Sequence, residues 1–116
     1  MKTTTFSNRL SKLIKDKEIS RGSIACEIVI SYLALSNSEA NSGSMGIGGC
    51  RAFIDGGEIM IRPCFVRGSG RYISNADYTS DICTAFNKLG VKYTQGNDAP
   101  KGGKPGNFIR VKRLTK

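Results

Sequence analysis

Apolar positions recur along this chain at two spacings, and the spacing changes midway. In the first third the repeat is helical. Phe6, Leu10, Leu13 and Ile14 fall on one face, while Arg9, Lys12, Lys15 and Lys17 fall elsewhere, so a short helix is predicted over 6–17. Thr5 suits its N-cap, and residues 18–21 form the break. The segment 23–35, SIACEIVISYLAL, is the most apolar of the chain. Ile24, Ile28, Ser31 and Leu35 make one row, thickened by Ala25, Val29, Tyr32 and Leu33. Its β-branched residues also permit a strand, but its length and its Ala and Leu residues favour a core helix capped by Ser20 or Ser23. Being so apolar, that helix does not suit a DNA groove, which argues against a helix-turn-helix.

Beyond residue 50 the repeat becomes two. The run CRAFIDGGEIMIRPCFVR places Asp55-Gly56-Gly57-Glu58 between two β-rich stretches. A Gly-Gly pair at a hairpin tip suits a primed turn, with both glycines at positive φ. Taking it as the two-residue loop fixes the register: Ile54 faces Ile59, Phe53 faces Met60, Ala52 faces Ile61, and Arg51 faces Arg62. Ala52, Ile54, Ile59, Ile61 and Phe65 then share an apolar face, opposite Arg51, Phe53, Met60 and Arg62. Pro63 interrupts the ladder, which predicts an edge or a bulge there.

A helix is predicted over 76–89, with Tyr78, Ile82, Ala85, Phe86 and Leu89 on its stripe and Ser74 or Asn75 as its cap. Asp77 and Asp81 lie toward its start and Lys88 toward its end, as the helix dipole prefers, and Gly90 fits the C′ position. Residues 91–95 read as a third strand, with Val91 and Tyr93 inward and Lys92 outward. Residues 107–113 read as a fourth, with Ile109 and Val111 inward and Phe108, Arg110 and Lys112 outward. Two glycine-rich stretches, 36–49 and 96–106, read as flexible loops. The expected fold is therefore one α+β domain over 1–116, of order α-α-β-β-α-β-β. A four-stranded, mainly antiparallel sheet carries helices on one face. An exposed edge at the second or fourth predicted strand offers a place for a second copy, making a homodimer.

Charge adds a direction to this picture. The chain has 116 residues, 18 Lys and Arg, nine Asp and Glu, and a formal net charge of +9. Residues 1–58 account for +1 and residues 59–116 for +8. Such a field attracts nucleic acid, an anionic membrane or an acidic protein. No apolar run is long enough to span a membrane. The N-terminus lacks the apolar core of a signal peptide, so a cytoplasmic location is expected.

The same strand parity gathers a constellation. Arg51, Phe53, Arg62, Lys92, Phe108, Arg110 and Lys112 fall on one outward face, on which no acid is expected. Arg67, Arg71, Lys101 and Lys104 flank it from the loops, where neighbouring glycines leave backbone N–H groups open to an anion. Cations that neutralise phosphate, beside rings on which bases stack, are what single-strand binding requires. The expected partner is nucleic acid, single-stranded by preference. The alternative is an acidic protein surface, as for a small inhibitor of phage or mobile-element origin acting on a host factor.

Catalysis finds less support. The chain contains no histidine, which excludes His-based acid–base chemistry and His–metal sites. Cys26, Cys50, Cys64 and Cys83 are scattered singly, as in a reduced cytosolic protein, and no cofactor is expected. Asp77 with Asp81, and Asp55 with Glu58, have ordinary helix and turn roles. GSMGIGG has the wrong glycine spacing for a dinucleotide fingerprint, and KGGKPG lacks the Lys-Ser/Thr ending of a phosphate loop. A non-enzymatic role follows.

Overall fold

The computed structural model describes residues 1–40, 42–47, 50–63, 77–98 and 106–116. Its elements are α1 (Thr3–Lys15), α2 (Ile24–Asn37), β1 (Ser44–Ile47), β2 (Cys50–Asp55), β3 (Glu58–Arg62), α3 (Thr79–Leu89), β4 (Tyr93–Asp98) and β5 (Gly106–Lys112). The class is α+β, with an antiparallel sheet of five strands in the order β1-β2-β3-β5-β4. The fifth strand is β1, inside the stretch read as a flexible loop. Its residues, SMGI, hold only two alternating apolar positions, Met45 and Ile47, in a glycine-rich stretch, and it pairs Met45 with Ala52 and Gly46 with Arg51.

The hairpin register is the expected one, from Arg51 opposite Arg62 to Asp55 opposite Glu58. Its turn differs in detail: Gly56 takes φ +64° and Gly57 does not have positive φ. That is where a type II′ turn needs its glycine. Pro63 is not in an edge strand. β3 lies between β2 and β5, and Pro63 follows its last residue, so no ladder bond is lost. Its carbonyl accepts from the Tyr78 amide at 3.2 Å and from the Cys50 thiol at 3.1 Å. The second and fourth predicted strands, now β3 and β5, are thus interior. Neither offers an edge to a second copy, and the sheet's edges are β1 and β4.

Helix α1 starts earlier than its periodicity suggests, and Thr5 is not its cap. The chain ends hold each other: Thr3 N–H donates to the Thr115 carbonyl at 2.7 Å, and Thr115 N–H to that of Met1 at 2.9 Å. This fixes the backbone at Lys2 and lets the helix begin at Thr3. Helix α2 is a helix, as its length predicted, and the Ser23 hydroxyl accepts from the Cys26 amide at 3.2 Å. Helix α3 starts at Thr79, three residues later than predicted, with Tyr78 at its N-cap and no side-chain cap bond. The Asp77 carboxylate, one residue before the cap, accepts from the Thr79 amide at 2.9 Å. The expected caps Ser74 and Asn75, like Phe65 and Cys64, lie outside the described residues. Gly90 closes α3 at φ +74°.

The core forms where α2 packs against β1, β2 and β3, and α3 against β5. Ala52, Ile59, Ile61 and Ile109 are fully buried there beside Phe6, Ile28, Val29, Tyr32, Ile82 and Phe86. A chain of ring contacts ties the layers together. Phe6 meets Tyr32 with centroids 5.4 Å apart, Tyr32 meets Phe86 at 5.3 Å, and Phe86 meets Tyr93 at 6.1 Å. Burying each large apolar side chain contributes about 1.5–3 kcal/mol. The Tyr32 hydroxyl, deep in this core, donates to the Lys112 carbonyl, and burial pushes its pKa up to about 12. No described helix is long and apolar enough to cross a membrane.

Candidate nucleic-acid interface

The sheet face opposite the core takes its composition from strand parity. β2 contributes Arg51, Phe53 and Asp55, and β3 contributes Glu58, Met60 and Arg62. β5 contributes Phe108, Arg110 and Lys112, with Thr94, Gly96 and Asp98 beside them on β4. Apart from Met60, 6% exposed, these residues are exposed or half-buried. Met60 is covered because Phe53 and Arg110 stand directly opposite it on the two neighbouring strands.

The expectation of an acid-free face is overturned. Asp55, Glu58 and Asp98 share it and hold two of its arginines. Arg62 grips Asp98 through both guanidinium nitrogens, at 2.6 and 3.1 Å. Arg110 Nη1 reaches Asp55 at 2.9 Å and Glu58 at 3.2 Å. The hydrogen bonds and charge of Arg62 hold Asp98 below the usual aspartate range. Asp55, then Glu58, raise the pKa of the Arg110 guanidinium. The acids escaped sequence reasoning for identifiable reasons. Asp55 and Glu58 flank a turn and look like turn residues, although they share the parity of Arg51 and Met60. Asp98 sits beyond the periodic residues 91–95, in a glycine-rich stretch, and β4 continues to it.

The aromatic residues are placed as predicted but are not free-standing. The Phe108 ring leans across onto Gly96, filling the space a Cβ there would need. The Arg110 guanidinium carbon sits 5.9 Å from its centroid, within cation–π range. Phe53 is half-buried above Met60.

Among the described residues, no ion pair involves Arg51, Lys92 or Lys112. Arg51 lies near the end of the sheet where β3 and β4 finish and β5 begins. The segments carrying Arg67 and Arg71, and Lys101 and Lys104, join the sheet at that same end. Those four residues lie outside the described ones. Lys112 lies at the opposite end, and the β4–β5 register carried one residue further sets Lys92 beside it. These lysines, with Glu58, Thr94 and Arg110, line a groove of about 480 Å³ that runs past Gly90 and Tyr93. The face thus has free cations toward both ends and neutralised arginines between them.

Other arginines serve the fold. Arg113 donates to the Leu35 carbonyl at 3.1 Å and to that of Ser38, at the C-terminus of α2. Arg9 donates to the Leu89 carbonyl at 2.9 Å, at the C-terminus of α3. Among the described residues, no three Cys, Asp or Glu side chains gather closely enough to hold a metal ion. Comparison of the chain with protein-family models, with curated proteins and with solved structures finds no match.

Proposed function

We propose that this protein is a non-enzymatic nucleic-acid-binding protein that takes single strands across the outer face of its sheet. The observation that carries this reading is the position of Arg51 toward one end of that face and of Lys92 and Lys112 at the other, in a chain of net charge +9. Phosphates would run between these ends, because a phosphate gains most from a cation that no carboxylate already neutralises. Phe53 and Phe108 lie along that path and present rings to the bases. Arg62 and Arg110 have a different part: paired with Asp98, Asp55 and Glu58, they set the shape of the face and add little net charge.

The test is an anisotropy titration of labelled single- and double-stranded DNA and RNA at two salt concentrations. Saturable binding that weakens steeply with salt, with single strands preferred, supports the proposal. No binding at low salt overturns it. A nuclease-resistant complex with an acidic protein, without affinity for any nucleic acid, would favour the inhibitor reading instead.

A further inference from the structure

We propose that β4 pairs with β4 of a second copy, antiparallel across a two-fold axis through Gln95, to give a dimer with one continuous ten-stranded sheet. The structure has two sheet edges, and they differ. β1 is four residues long. β4 runs for six, Tyr93–Asp98, in unbroken register with β5. Charged residues stand only at its two ends, Lys92 just before it and Asp98 as its last residue. It contains no proline and no bulge, and Gln95 and Asn97 are exposed on the side toward the core.

The sequence of this edge is self-complementary. A two-fold axis perpendicular to the sheet keeps each face continuous, so only residues of equal parity come opposite each other. Centring the pairing on Gln95 uses the whole stretch from residue 92 to residue 98. Thr94 then lies opposite the partner's Gly96, and Tyr93 opposite the partner's Asn97. Lys92 lies opposite Asp98 of the partner subunit, and the symmetry makes this contact twice. Both residues lie on the outer face. Within one chain Lys92 has another lysine, Lys112, beside it, so the partner's carboxylate relieves a repulsion as well as adding an attraction. Asp98 keeps its bond to Arg62, because a carboxylate accepts from two donors at once. Shifting the axis to Thr94 or Gly96 loses the Lys92–Asp98 contact.

The test is sedimentation equilibrium of the nuclease-treated full chain over a concentration series, with no nucleic acid present. The mass should rise with concentration from the 12.5 kDa monomer toward twice that value. Lys92→Asp sets two acids opposite each other, and Asp98→Lys sets two lysines, so each variant alone should dimerise about tenfold more weakly. An equimolar mixture of the two restores both contacts and should recover the wild-type dimer. A wild-type chain that stays monomeric at the highest concentration reached would overturn the proposal. So would a dimer indifferent to both substitutions, or a mixture no stronger than its components. The dimer would take Lys92 from the free cations and leave Arg51 and Lys112. A monomeric chain therefore overturns the pairing and leaves nucleic-acid binding, which is read by titration with oligonucleotides, standing.

Discussion

Gly96 and Phe108 show how a single side chain shapes the outer face. Glycine weakens a strand because it offers nothing to pack, and the Phe108 ring supplies that packing from the neighbouring strand. Gly96→Ala therefore has opposite consequences in two backgrounds. With Phe108 present the new methyl displaces the ring, and with Phe108→Ala it enters open space. A double-mutant cycle by urea denaturation should give a coupling of about 1 kcal/mol, with Gly96→Ala less favourable when the ring is present. Additive effects would contradict the contact. Asp98 gives a second expectation at this scale. Its pKa is lowered in the folded state by Arg62, so its contribution to stability is complete above its unfolded value and is lost as pH falls through the folded one. Asp98→Asn should lower the unfolding midpoint at neutral pH, and the difference from wild type should shrink below about pH 4. A difference that does not change with pH would mean that the ion pair contributes nothing.

At the scale of elements, the hairpin of β2 and β3 is legible because two signals agree. Strict alternation and a Gly-Gly tip leave one register that buries Ala52, Ile54, Ile59 and Ile61 together. Strand β1 carries both signals in weak form: Met45 and Ile47 alternate with Ser44 and Gly46, and Gly48-Gly49 separates the paired Ile47 and Cys50. Two apolar residues among so many glycines are too short a run to stand out from a loop. The start of α1 depends on Thr115, far away in the chain, which no local pattern contains. The helix C-termini carry a similar non-local element. Arg113, at the end of the fourth predicted strand, donates to the carbonyls that end α2. A guanidinium at a helix C-terminus is favoured both by hydrogen bonding and by the helix dipole. Arg113→Ala should destabilise the fold by about 1–2 kcal/mol in urea denaturation, and Arg113→Lys should recover only part of this, because it keeps the charge without the fork. A neutral Arg113→Ala would show that water serves these carbonyls equally well.

For the molecule as a whole, the sequence shows how much positive charge there is, and the fold decides which of it is available. Counting lysines and arginines on the outward face overstates its field. Three acids lie among them, and strands that run one to three residues beyond their periodic cores bring them there. What remains is a face with free cations toward both ends and a half-buried aromatic and ion-paired middle. The most direct test is the salt dependence of oligonucleotide affinity for wild type, for Arg51→Ala/Lys112→Ala and for Arg110→Gln/Asp55→Asn. The slope of log affinity against log salt should fall by about one for each phosphate contact removed. Arg51→Ala/Lys112→Ala should therefore weaken binding and lower the slope by about two, while the charge-neutral Arg110→Gln/Asp55→Asn should leave it near wild type. A slope lowered by the second variant and not by the first would contradict the account, placing the phosphates on the paired arginines instead of the free cations.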